Sequence, residues 1–192
     1  MKNFIILIFL IFLIISCKID EYPTYILAGQ SIGSGIVYID VVPDDTLKII
    51  DFPDKLEVIG SLDLDHDKIN DFELTLWASS PWMLGAWCGG LEIKPLGLNA
   101  LCVSGLHTYW VEPLKMNDTI NQNRNWSDTT ALLYSYCQYI GQTETTSHGY
   151  WYNQDHLYVG IKIVKGNHQF FGWIDLKGNV IRQYGITIPY RD

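Results

Sequence analysis

Helical periodicity is what this chain of 192 residues has least of. Outside an N-terminal apolar run, apolar residues do not recur at the three- and four-residue spacing of an amphipathic helix. Even Thr129 to Tyr139, the one stretch long enough to reconsider, carries Tyr134, Tyr136 and Tyr139, a content that favours a strand. Basic residues are also scarce, with 13 Lys and Arg against 21 Asp and Glu and a net charge of -8. Removing residues 1–16 takes away Lys2 and no acid, so the charge moves from -8 to -9. Such a surface repels phosphate backbones, which removes nucleic acid as a partner. It also removes attachment to anionic lipid through a basic patch. Cysteine is limited to four residues with no C-x-x-C half-site, so a zinc site completed by His107 has no support. The five histidines show no H-E-x-x-H or related spacing. No internal repeat or low-complexity segment is present, and no coherent catalytic motif.

What the chain does have is an apolar run from Phe4 to Ile15, preceded by Lys2 and closed by Ser16-Cys17. A positive n-region, a core of this length and a small residue before a cysteine describe a signal peptide. The run falls short of the roughly 20 apolar residues that a membrane-spanning helix needs. Its ending, Ile14-Ile15-Ser16-Cys17, resembles the lipobox of bacterial lipoproteins. That resemblance implies acylation of Cys17, a new N-terminus there, and attachment to the outer membrane through acyl chains. Lys18-Ile19-Asp20-Glu21-Tyr22-Pro23 resembles the short acidic signals that carry some Gram-negative lipoproteins to the cell surface. The expected organisation is therefore a signal peptide over residues 1–16 and a lipidated tether over 17–34, where Gly29 and Gly33 disfavour regular structure. One domain large enough for a proper core follows over 35–192. An exported chain meets an oxidising compartment, so Cys88, Cys102 and Cys137 predict one disulfide and one thiol left over. Cys88–Cys102 closes the shortest loop, although spacing leaves all three pairings open.

From Gly35 onward the pattern predicts strands. Ile36 to Val42 is rich in β-branched residues, and Phe72, Leu74 and Leu76 share a face at period two. Leu157, Val159, Ile161 and Ile163 alternate with Tyr158, Gly160 and Lys162, the signature of a strand with one buried face. Lys165-Gly166-Asn167 and Lys177-Gly178-Asn179 supply residues that tolerate the positive φ of hairpin turns. The last third thus reads as a three-stranded antiparallel meander, and the whole as an all-β antiparallel sandwich, jelly-roll-like, with little helix.

One constellation carries chemistry. Asp63-Leu64-Asp65-His66-Asp67-Lys68-Ile69-Asn70-Asp71 places acids at relative positions 1, 3, 5 and 9, with Ile69 where an EF-hand-type loop offers a backbone carbonyl. Calcium takes six to eight hard oxygens, and four carboxylates this close repel one another without a cation. Asp63, Asp65, Asp67, Asp71 and the Ile69 carbonyl are therefore the candidate ligands of one structural Ca²⁺. Lys68 replaces the usual glycine and Leu74 the usual bidentate glutamate of the EF-hand. The loop instead resembles the shorter D-x-D-x-D-x-x-x-D loops of FG-GAP-like and thrombospondin type 3 repeats. With Leu114 to Ile120, Trp126, Tyr158 to Lys162 and Phe171-Gly172-Trp173-Ile174, it also resembles a broad group of secreted bacterial β-sandwich proteins. This second resemblance implies fold and export, and no shared activity.

Three weaker signals complete the reading. Gly29-Gln30-Ser31-Ile32-Gly33 matches the G-x-S-x-G nucleophile elbow in letters, but Ser34-Gly35 follows where a helix is required. Asp45-Thr46-Leu47, Asp118-Thr119-Ile120 and Asp128-Thr129-Thr130 resemble an acceptor pattern for periplasmic O-glycosylation. Aromatic rings cluster at Trp77, Trp82 and Trp87 and again at Tyr150-Trp151-Tyr152, making Trp82, Trp87 and Trp151 candidate glycan contacts. Two functions follow as expectations: a non-catalytic adhesion or scaffolding lipoprotein engaging an envelope protein, or a glycan-binding surface lipoprotein of a polysaccharide-uptake system.

Overall fold

The computed structural model describes residues 23–46, 55–79, 85–105, 107–139, 141, 145–151, 154 and 156–188. Cys17 and the expected signal peptide, Trp82 and Tyr152 lie outside them. The described residues form an all-β fold without helix. The strands are β1 (Tyr25–Leu27), β2 (Ile36–Thr46), β3 (Lys55–Leu62), β4 (Phe72–Ser79) and β5 (Ala86–Pro95). Then come β6 (Ala100–Ser104), β7 (His107–Val111), β8 (Pro113–Leu114), β9 (Thr119–Asn121) and β10 (Trp126–Ser127). The chain closes with β11 (Ala131–Tyr139), β12 (Thr145–His148), β13 (Leu157–Lys165), β14 (His168–Lys177) and β15 (Val180–Thr187).

Hydrogen bonding runs continuously in the order β2-β15-β14-β13-β6-β7-β11-β5-β4-β3, with β8 on β13, β10 on β6 and β12 on β11. The path changes layer at the β6–β7 hairpin. One layer, β2-β15-β14-β13-β6, faces the other, β7-β11-β5-β4-β3, and their inner residues form the main core. Leu74, Leu76, Leu91, Ile93 and Leu133 from one side meet Val159, Ile161, Ile163, Ile174 and Ile186 from the other. The period-two alternation in β4 and β13 is what commits one face of each strand to this core.

The last three strands form the expected antiparallel meander, β13 on β14 and β14 on β15. Both of its turns are set by glycine: Gly166 and Gly178 take φ of 59° and 60°, while the following asparagines stay at negative φ. Across β14 and β15, an added Cβ at Gly185 would lie 2.8 Å from the Trp173 ring, so only glycine admits the indole there.

The tether expected over 17–34 departs from expectation in its second half. Tyr25–Leu27 pairs with β9 as a small second sheet, and Ile26 and Ala28 are fully buried. They cover the outer face of the meander, packing with Cys102, Leu114, Ile120, Tyr158, Phe171 and Trp173 in a second core. The strand Leu157–Lys165 is consequently buried on both faces near its start rather than on one. Alternation shows which residues share a face; it does not show that a separate segment will come to cover the polar-looking side.

The disulfide also differs from the shortest-loop pairing. Cys88 bonds Cys137, and Cys102 is a buried free thiol. Cys88 and Cys137 stand directly opposite each other on the antiparallel neighbours β5 and β11. Cys102 belongs to the other layer, where it packs in the second core and its Sγ–H donates to Glu112 Oε2 at 3.1 Å. Sheet register, not separation along the chain, selects the partner. Burial first, then the Glu112 carboxylate, pushes the Cys102 thiol far above its ordinary pKa and keeps it unreactive.

Candidate metal centre

The Asp-rich segment is the nine-residue connection between β3 and β4, whose last pair in register is Leu62 with Phe72. Its curl is built from short-range bonds that aspartate favours. The backbone N–H of Lys68 donates to Asp63 Oδ2 at 2.8 Å, and that of Asp67 to Asp63 Oδ1 at 3.2 Å. The Ile69 N–H donates to Asp67 Oδ1 at 2.8 Å. His66 and Lys68 adopt left-handed backbone at φ 59° and 72°. Lys68 therefore makes the turn that glycine makes in an EF-hand loop, at a steric cost of about 1–2 kcal/mol.

Three anchors hold the curl against the sandwich. Leu64 inserts its fully buried side chain into the main core from the middle of the loop. Asp71, 1 % exposed, accepts the Leu64 N–H at Oδ2 (2.9 Å) and the Asn99 amide at Oδ1 (3.1 Å), while its carbonyl accepts the Leu96 N–H at 2.9 Å. Asn99 in turn accepts the Val164 N–H at 2.9 Å. One buried amide thus ties the acidic loop to the β5–β6 turn and to β13. Burial is the largest influence on the Asp71 carboxyl and lifts its pKa, aided by the charge of Asp65 and opposed by the bonds from Leu64 and Asn99 and by the charge of Lys165.

Carboxylate oxygens of Asp63, Asp65 and Asp71 come within 4.8 Å of one another. Two oxygens on one Ca²⁺ at about 2.3–2.6 Å are at most about 5 Å apart, so the three can share an ion. Asp67, expected as a fourth ligand, falls outside this trio. Its Oδ1 is engaged by the Ile69 N–H and its Oδ2 by the Lys165 ammonium at 2.7 Å. The Ile69 side chain is exposed, as a residue contributing only backbone to the loop can be.

Lys165 is the member that sequence reading missed. It stands 98 residues from Asp67 at the end of β13, and no local spacing signals it. Its Nζ lies 3.2 Å from Asp65 Oδ2, 2.7 Å from Asp67 Oδ2 and 3.6 Å from Asp71 Oδ1. Partial burial works against the ammonium, but bonds to Asp67 and Asp65 and the charges of Asp71 and Asp65 outweigh it and raise its pKa. The same contact, followed by the Ile69 N–H, holds the Asp67 carboxyl below its ordinary value. The loop is thus an all-oxygen acidic cradle with a tethered cation on one side.

The remaining candidates disperse. Ser31 is exposed between β1 and β2, with no helix after it. Trp151 is 7 % exposed, belongs to the main core and donates its indole N–H to the Val111 carbonyl at 3.3 Å, so it offers no face to a sugar. Trp87 is 52 % exposed and retains that capacity. Sequence clustering of aromatics could not separate these two, because burial of the ring depends on which layer lies across it. Comparison with protein-family models, curated proteins and solved structures finds no match.

Proposed function

We propose that the chain is an envelope-anchored lipoprotein, acylated at Cys17, whose non-catalytic β-sandwich serves adhesion or scaffolding and is stabilised by one Ca²⁺. The observation that carries the calcium part of this reading is the convergence of Asp63, Asp65 and Asp71 in a loop pinned to both layers by Leu64 and Asn99; the anchor rests on the Ile14-Ile15-Ser16-Cys17 ending. The donors are all hard oxygens on a curled loop, which suits Ca²⁺ better than Mg²⁺ with its strict octahedron at about 2.0–2.1 Å. Asp67 shares the Lys165 ammonium with Asp65 and Asp71 and offers a further oxygen once Lys165 releases it. An ion here crosslinks the two ends of the β3–β4 connection, Asp63 and Asp71, through Asp65, so its effect is on the stability of the scaffold. The second reading, a glycan-binding surface lipoprotein of a polysaccharide-uptake system, retains Trp87 and loses Trp151.

A ligand that binds only the folded state stabilises it by about 2.7 kcal/mol at a hundredfold excess over Kd. For a domain of this size that raises the melting midpoint by roughly 5–10 °C. Calcium is expected to produce this rise, chelation to reverse it and Asp65→Ala to abolish it. A midpoint indifferent to calcium, chelator and variant contradicts the cation. The anchor is tested separately: a fatty-acid probe labels the wild type and not Cys17→Ala, and equal labelling of both contradicts acylation.

A further inference from the structure

On the outer face of the molecule, β1, the β9–β10 turn and the β13–β14 turn enclose a groove of about 440 Å³. Small-ligand sites span about 300–1,000 Å³. Five of its ten lining residues are carboxamides, Asn121, Gln122, Asn123, Asn167 and Gln169, and no Asp, Glu, Lys or Arg is among the ten. In a chain with 34 such charged residues and a net charge of -8, a concavity with none of them, and with His168 as its one basic side chain, is a chemical selection.

The carboxamides are free to act on a ligand. Among the described residues, the side chains of Gln122, Asn123, Asn167 and Gln169 hydrogen-bond no protein group. Their backbone is nevertheless fixed by neighbours. The Asn123 N–H donates to Asn121 Oδ1 at 2.9 Å, Trp126 Nε1 donates to the Asn121 carbonyl at 3.1 Å, and Arg124 Nε donates to the Thr119 carbonyl at 2.7 Å. Arg124 is itself held by Glu112 at 3.1 Å. Beneath, Phe171 packs on Trp126 with ring centroids 5.8 Å apart, and its N–H donates to Thr187. A turn ordered from behind presents its amides without losing much further entropy on binding. At the rim, Tyr25 holds its ring 54 % exposed although β1 itself is paired.

We propose that this groove binds a short stretch of neutral glycan, with Tyr25 as the stacking platform and the carboxamides as readers of hydroxyl groups. Each carboxamide offers donors and an acceptor together, matching hydroxyls that both give and take a hydrogen bond. The ring face of Tyr25 suits the apolar C–H face of a sugar. A cationic polysaccharide finds no carboxylate in the lining, and an anionic one finds only the His168 imidazole there and meets the field of an acidic protein. The site rests on the second, glycan-binding reading for its biological sense and names the class of ligand; it does not depend on the ion.

Detergent-solubilised full chain is screened on neutral glucans, mannans, xylans and galactans beside acidic polyuronates, with and without calcium. At least one neutral glycan is expected to bind in both conditions. Tyr25→Ala is expected to weaken it about tenfold, and Asn167→Ala, an exposed turn residue, several-fold with an unchanged melting midpoint. Binding by acidic glycans alone, by no array member, or with equal strength in wild type and Asn167→Ala and Tyr25→Ala overturns the proposal. A cation that fails to change the melting midpoint contradicts the calcium reading and leaves this outcome untouched.

Discussion

Lys165 decides how the acidic loop behaves when no cation is bound. Its ammonium offsets part of the charge of Asp65, Asp67 and Asp71, and an incoming divalent ion competes with it for two of the three converging carboxylates. Lys165→Met is therefore expected to lower the melting midpoint in chelator by a few degrees and to raise calcium affinity several-fold, measured by calorimetric titration. A lower affinity in the variant would mean that Lys165 positions the ligands rather than competing for them. Below neutrality the pH dependence has two phases of opposite sign, and Lys165 adds a third in alkali. Burial raises the Asp71 pKa, so its carboxylate costs stability at neutral pH and that cost is relieved as pH falls through the raised value. The Asp67 pKa is lowered by Lys165, so its contribution is present above the unfolded value near 3.9 and is lost as pH falls through the lower native one. Lys165, with its pKa raised, keeps its own contribution until pH rises through that native value, above about 10.4. Denaturant melts of the cation-free protein should thus show the relief phase at the higher pH, absent in Asp71→Asn, and the loss phase below it. A single monotonic fall shared by both proteins contradicts the assignment.

At the scale of elements, β1 makes the sharpest claim. A tether residue tolerates truncation, whereas Ile26 is fully buried in the second core. Ile26→Ala is expected to cost about 2–5 kcal/mol in denaturant unfolding, and a cost near zero returns the segment to the status of a linker. The elements also show what could be read in advance. The meander was legible because Leu157, Val159, Ile161 and Ile163 repeat at period two and two glycine turns punctuate the rest. The acidic connection was legible because its aspartates are local to one another. β1 was not, since Tyr25-Ile26-Leu27 is three residues long, stands among glycines and owes its strand state to β9, more than ninety residues away. Nor was Lys165, whose role exists only after β13 is laid beside the β3–β4 loop. Pairings across the fold leave no trace in local spacing.

At the scale of the whole fold, the described residues make one long sheet path folded over at β6–β7, with the small β1–β9 sheet beside it, and the disulfide closes only one of the layers, joining β5 to β11. The bond spans 49 residues, a separation for which loss of the crosslink costs about 2–4 kcal/mol. Reduction, or Cys88→Ser with Cys137→Ser, is expected to lower the melting midpoint by roughly 5–15 °C without changing the β-type circular dichroism, because both layers share the core. Cys88 and Cys102 found linked by peptide mapping would contradict the register. The central claim is that the loop between β3 and β4 holds one calcium ion through Asp63, Asp65 and Asp71 while Lys165 serves as its tethered rival. The most direct measurement is a crystal structure of the calcium-saturated protein with anomalous scattering. One calcium peak is predicted, with oxygens of the three aspartates at about 2.3–2.6 Å and Lys165 Nζ withdrawn from Asp65 and Asp71. Lys165 still bridging the aspartates, with no peak among them at saturating calcium, would contradict it.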